Sequence, residues 1–225
     1  QECVKLGKTL GRRVGDELGV PVYLYEDAAT RPERRNLADI RRGEYEGLAD
    51  KMQEPDWQPD FGPAEFNPAT GATVIGARNF LISYNVNLKT TDRLLASEIA
   101  ATVRESGRVR RNPDGSYMLD ETGLPQRKRG RLDGVKAIGW YIEEYDVAQV
   151  SMNITNYHVA SIHKVYETVK EEAEKLGISV NGSELIGLMP LEAMLQAGRF
   201  YAGSRADSAS ESELVCELHF DPDLM

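Results

Sequence analysis

Histidine and cysteine are scarce in this sequence: three and two among 225 residues. The cysteines, Cys3 and Cys216, stand near opposite ends. That excludes a disulfide scaffold and a cysteine-built zinc centre. His158, His163 and His219 are too few and too scattered for a multi-histidine metal site, so no metal cofactor is expected. No run approaches the roughly eighteen uncharged apolar residues of a membrane span, and the opening from Gln1 to Lys8 lacks the form of a secretory signal. A cytoplasmic protein with no membrane partner is the expectation. The sequence contains no P-loop, HExxH or Ser/His/Asp signature. Gly71 and Gly76 are spaced like part of a nucleotide loop, but they lead into a strand, where a dinucleotide fingerprint leads into a helix.

What is present is ordinary globular composition, 41% apolar and 28% charged, with a net charge of −9. The length suits one large domain or two small ones. The acidic balance argues against nucleic acid as a partner. Yet Arg104, Arg108, Arg110, Arg111, Arg127, Lys128, Arg129 and Arg131 share a segment with only four acids, so 104–131 is +4 and the rest −13. Such a segment is either a solvated loop or an attractor for an anionic small molecule.

Cys3, Leu6, Leu10, Val14 and Leu18 recur at helical spacing, and Gly19 is a stop signal. That predicts an opening helix buried through this stripe. A strand is predicted over 20–25 and a weak helix over 32–52, where Gly43 and Gly47 count against it. Residues 53–71 hold Pro55, Pro59, Pro63 and Pro68 and read as one long loop, a length often functional. Two strands do not make an independent sheet, so part of this domain is expected to lie N-terminal to the sequence.

From about residue 78 to 188 the periodicities spell strand, helix, strand, strand, helix, strand. The strands are read at 80–88, at 135–143 through Ile138, Trp140 and Ile142, at 146–154, and at 178–188. Thr90, Thr91 or Asp92 would cap the first helix and Thr155 or Asn156 the second, a third helix covers 190–202, and the tail from Gly203 reads as loose. This order is the split βαβ, ferredoxin-like unit. Its first and third strands then lie side by side, and Ser83, Asn85, Asn87, Gln149, Ser151 and Asn153 share the face away from the helices. That face is either plainly wetted or a hydrogen-bonding floor for a heteroatom-rich ligand. His158 falls in the first turn of the second helix and His163 about 140° further round, so the two cannot share a ligand.

Longer strings say more. Val22-Tyr-Leu-Tyr25, Ile40-Arg-Arg-Gly-Glu-Tyr-Glu46, Pro59-Asp-Phe-Gly-Pro63, Gly71-Ala-Thr-Val74, Gly76-Ala-Arg-Asn-Phe-Leu-Ile82, Asn85-Val-Asn-Leu88, Ala137-Ile-Gly-Trp-Tyr-Ile-Glu-Glu144, Ala148-Gln-Val-Ser-Met-Asn153 and Gly182-Ser-Glu-Leu-Ile-Gly-Leu-Met-Pro190 occur in this order. Together they resemble the glutamate formiminotransferase family over about residues 1–202.

The resemblance implies an α/β (α+β) fold of two α/β-sandwich subdomains. Residues 1–77 would be the C-terminal part of the N-subdomain, 78–202 the ferredoxin-like (βαββαβ) C-subdomain, and 203–225 a divergent tail. It implies transfer of the formimino group from N-formimino-L-glutamate to N5 of tetrahydrofolate, the co-substrate, in histidine degradation and one-carbon metabolism. It further implies folate bound in a tunnel between the subdomains, and a homodimer. The family's folate-binding stretch falls on Gly62, Pro63, Ala64, Glu65, Phe66, Asn67, Pro68, Ala69, Thr70 and Gly71. Phe66 could stack on the pterin, and Asn85, Asn87, Asn153 and Glu184 are the expected polar contacts on the sheet. The family's catalytic histidine stands in a Glu-His-Pro-Arg-type loop that no position here matches, so the catalytic residue stays unknown. The alternatives are a non-catalytic folate-binding fragment, half of a split enzyme, a formyl transferase acting on N-formylglutamate, or a ferredoxin-like amino-acid sensor. The 104–131 segment could attract polyglutamyl folate tails.

Overall fold

The computed structural model describes residues 1–121 and 123–206, without the side chains of 204–206. Cys216, His219 and the expected loose tail beyond 206 lie outside the described residues. The chain divides into two compact units, Gln1–Asn79 and Phe80–Met225.

In the first unit, β1 (Val22–Glu26) and β2 (Thr73–Ala77) pair in parallel. Helix α1 (Glu2–Leu18) packs on both strands and ends at Gly19 in the left-handed conformation, φ 64°. Its buried residues are Gly7, Gly11 and Gly15. This corrects the expected burial of the apolar stripe: Leu6, Leu10 and Leu18 are 52–69% exposed. The reason is steric. A Cβ on Gly11 would lie 3.1 Å from the Phe61 ring, and one on Gly15 would lie 2.5 Å from the Gly62 nitrogen. Only the glycine edge of the helix approaches so closely, and the leucines are turned outward.

The weak helix over 32–52 resolves into two four-residue pieces, α2 (Leu37–Ile40) and α3 (Leu48–Lys51). Gly43, at φ 84°, reverses the chain between them. Lys51 returns to cap α2, its Nζ donating to the carbonyls of Asp39 and Ile40 at 2.8 and 2.6 Å. Arg34 is fully buried. It pairs with Asp60 at 2.7 Å and donates to the carbonyls of Asp56 and Gln58. Asp60 also accepts from the Leu24 amide at 2.8 Å and from the Thr30 hydroxyl. The long proline-rich loop is thereby pinned to β1, with Val22 N–H donating to the Phe61 carbonyl at 2.9 Å.

The second unit contains β3 (Ile82–Leu88), α4 (Arg93–Val103), β4 (Arg108–Val109), β5 (Arg127–Lys128), β6 (Val135–Ile142), β7 (Val147–Ile154), α5 (Ile162–Lys175), β8 (Val180–Ile186) and α6 (Leu191–Ala206). Its main sheet is antiparallel in the order β6-β7-β3-β8. That is the ferredoxin-like topology, with the small β4–β5 hairpin inserted. The core is formed by β3 and β7, through Val86, Leu88, Val150 and Met152, against α4 and α5, through Ile99, Val103, Val165 and Val169.

Asp92 caps α4, accepting from Leu94 N–H at 2.7 Å. Two expectations are corrected here, and the face of β6 is decided. Helix α5 takes Ser161 as its N-cap, after Thr155 and Asn156, so His158 lies in the preceding turn. There the Asn156 side chain accepts from His158 N–H at 3.1 Å. Strand β6 buries Val135 and Ala137, while Ile138 and Trp140 are turned to the other face and exposed. The offset follows from Gly139, where a Cβ would sit 2.1 Å from Ser97 N, so α4 lies directly on that backbone. Lastly, α6 continues past Gly203 to Ala206.

Candidate functional site

Register fixes which side chains meet on the helix-free face of the second unit. Asn87 stands across from Gln149, Asn85 across from Ser151 and Ser83 across from Asn153. On the other side Asn85 faces Glu184, and Trp140 faces Gln149. Trp140 Nε1–H donates to Gln149 Oε1 at 2.7 Å. Gln149 Nε2 donates to Asn87 Oδ1 at 2.6 Å and to Glu184 Oε2 at 3.1 Å. Asn87 Nδ2 donates to Glu184 Oε1 at 2.9 Å. Both carboxylate oxygens are thus held by amides from two neighbouring strands.

The structure joins Asn87, Gln149 and Glu184 and places Asn85 beside them. It leaves Asn153 exposed at the far end of the face, next to Ser83 and Lys136 in register. The face is not evenly wetted. Gln149 is fully buried, Asn85 is 6% exposed, and the Asn85 Oδ1 is buried without a hydrogen-bond partner. Trp140, which the sequence gives as an apolar strand residue, belongs to the network. Its position across from a glutamine was available only once strand register was known.

In the first unit, the 62–71 loop is anchored at both ends. A Cβ on Gly62 would lie 2.5 Å from the Val20 carbonyl oxygen. The Asn67 carbonyl accepts from Gly71 N–H at 2.8 Å, and its side chain accepts from Ala69 N–H at 2.9 Å. Tyr45 donates to the Pro68 carbonyl at 2.8 Å, and its ring lies 5.5 Å from that of Phe66. Gly62, Pro63, Ala64, Glu65, Asn67, Pro68, Ala69 and Thr70 are exposed, and Phe66 is half-buried. Thr70 and Gly71 border a cavity of about 360 Å³ whose walls include Tyr23, Tyr45, Leu48 and Trp57. Lys51 lies 3.8 Å from the centre of the Trp57 ring. Burial, with Arg42 adding to it, holds the Lys51 ammonium below the ordinary lysine range.

Three of the eight basic residues of the 104–131 segment form ion pairs at home. Arg108 pairs with Glu98, Arg129 with Asp133 and Glu105, and Arg131 with Glu171 and Glu172. Neither described histidine joins the sheet network. His158 stacks near Tyr157, and His163 packs on Phe200 of α6 at 4.4 Å, with its Nε2 3.0 Å from the Ser161 hydroxyl. Among the described residues, no group of three or more His, Cys, Asp or Glu is placed to hold a metal ion, and no helix is long and apolar enough to cross a membrane.

Comparison with known proteins gives these surfaces a context. The formiminotransferase domain matches residues 83–219, and the N-terminal subdomain of that domain matches residues 1–78. This chain belongs to the formiminotransferase family. It is 47% identical over 201 residues to the formimidoyltransferase-cyclodeaminase of Dictyostelium discoideum, covering 89% of this chain and 34% of that protein. To the glutamate formimidoyltransferase of Streptococcus pyogenes serotype M1 it is 41% identical over 201 residues, covering 89% of this chain and 60% of that protein. The glutamate formimidoyltransferase of Thermoplasma acidophilum is 39% identical over 203 residues, covering 89% and 59%. The chain therefore spans about a third of the first relative and three fifths of the other two.

Proposed function

We propose that this chain serves folate-dependent formimino transfer, from N-formimino-L-glutamate to N5 of tetrahydrofolate. The observation that carries the reading is the Glu184–Asn87–Gln149 network, an oriented polar cluster on the sheet of a formiminotransferase domain. The names of the relatives, glutamate formimidoyltransferase among them, point the same way. In the reaction the N5–carbon bond forms and the carbon–glutamate nitrogen bond breaks. The proton lost from N5 is delivered to the departing glutamate amine, which requires an acid/base group. We assign that role to no residue of this chain.

For folate we propose the 62–71 loop. It offers exposed backbone groups beside an aromatic-walled cavity suited to a flat heterocycle. A homodimeric, cytoplasmic protein fits the reading and rests on family resemblance alone.

The test is formimino transfer by the purified chain, given formiminoglutamate and tetrahydrofolate, with folate binding followed through tryptophan fluorescence. Turnover upholds the whole reading. Binding without turnover upholds the folate assignment and places the acid/base outside these 225 residues. Absence of both overturns it.

A further inference from the structure

The hydrogen bonds of the Glu184 cluster all run toward one end. The Trp140 indole, the Gln149 amide and the Asn87 amide are donors, and the chain of bonds terminates on the two oxygens of Glu184. Both protons of the Gln149 NH2 group are used. A carboxylate has about four lone-pair sites, and two of them are taken. Directly across the strand from Glu184 stands Asn85, whose Oδ1 is buried with no partner although the residue is only 6% exposed. Among the described residues Glu184 pairs with no lysine, arginine or histidine. The cluster therefore presents a negative charge and an orphaned carbonyl oxygen, and no cationic side chain to match them. Desolvated acceptors and unpaired charge are unfavourable, so the complementary ligand is a cation with several N–H groups in one plane.

We propose that Glu184 and Asn85 form a receptor for an amidinium group. The proposal deepens the formimino-transfer reading and rests on it for the identity of the donor. An amidine is a strong base and is cationic at neutral pH. Its N–C–N unit forks onto a carboxylate as a guanidinium does, leaving a further N–H for Asn85 Oδ1. An N-formyl group in the same place is neutral and brings a single N–H, too few donors to fork onto Glu184 and also reach Asn85 Oδ1. The cluster thus selects a formimino donor over a formyl donor. Keeping the amidine protonated also keeps its carbon electrophilic toward N5.

The probe is formamidine, with formamide as its neutral isostere, added to the ¹⁵N-labelled chain. The chain has two tryptophans, so the Trp140 indole signal is read against Trp57 as an internal control. Formamidine is expected to shift the Trp140 indole and the Asn85 side-chain amide saturably, and formamide is expected to leave both in place. Glu184→Gln should weaken formamidine at least tenfold. It should also abolish a preference of tenfold or more for formiminoglutamate over N-formylglutamate. Equal responses to formamidine and formamide in the unsubstituted chain overturn the proposal without recourse to any variant. So does a Glu184→Gln chain that loses affinity for a tetrahydropterin and keeps it for formamidine, since the carboxylate would then hold the pterin's amino-pyrimidinone edge. If formamidine binds as expected while formiminoglutamate binds no better than formamidine, the receptor stands and the transferase reading falls.

Discussion

Asp60 shows how much one buried charge can organise. Its carboxylate meets the Arg34 guanidinium at 2.7 Å, the pair being 1% and 7% exposed, and also accepts from Leu24 N–H. Removing one partner of such a pair leaves a buried charge and costs about 3–5 kcal/mol. Asp60→Ala is therefore expected to lower the urea midpoint sharply, and Arg31→Ala, at the exposed pair with Asp56, to leave it nearly unchanged. His163 provides a pH-dependent counterpart. Its Nδ1 is buried without a partner and its ring lies on Phe200. Burial holds its pKa below the usual histidine value, against the opposing pull of Glu167. The unfolded chain then takes up the proton first. The penalty is absent above the unfolded pKa of about 6.5, grows as the pH falls below it, and is complete beneath the folded pKa. Histidine resonances followed by NMR should place His163 below about 6.5. His163→Gln should flatten the acid side of the stability profile; an unchanged profile would refute the assignment.

At the scale of elements, α1 reverses the usual relation between apolarity and burial. Gly7, Gly11 and Gly15 are buried, against the sheet and the Phe61–Gly62 loop, and the leucines are not. Gly15→Ala should cost about 1–3 kcal/mol by overpacking, because its Cβ would lie 2.5 Å from backbone. Leu10→Ala, half exposed, should change stability by about 0.5 kcal/mol or less. Urea denaturation of the two variants reads the contrast directly, and a larger loss at Leu10 would mean the stripe is buried after all. The same logic explains β6, where Gly139 admits α4 and sends Trp140 to the helix-free face.

Across the whole molecule the two units are unequally built. The second has a four-stranded sheet with helices packed on it, and the first has two paired strands. Hydrogen exchange should therefore protect the amides of Val86 and Val150 longer than those of Leu24 and Val74, by about tenfold or more. Equal protection would show that the units unfold as one.

Much of the second unit was legible in the chain. Alternating apolar residues and cap signals gave its strand–helix order, because side-chain periodicity follows directly from backbone geometry. The ordered strings gave the family. The polar row of Asn85, Asn87 and Gln149 was visible for the same reason, since period two puts alternate residues on one face. The sequence could not tell which face of α1 or β6 is buried, because close backbone approach at Gly15 and Gly139 outweighed hydrophobicity there. Nor could it tell that Glu184 is gripped by Asn87 and Gln149, that Trp140 completes their network, or that Asn85 keeps an unmatched oxygen. Those facts depend on contacts between residues far apart in the chain, which only strand register and packing decide.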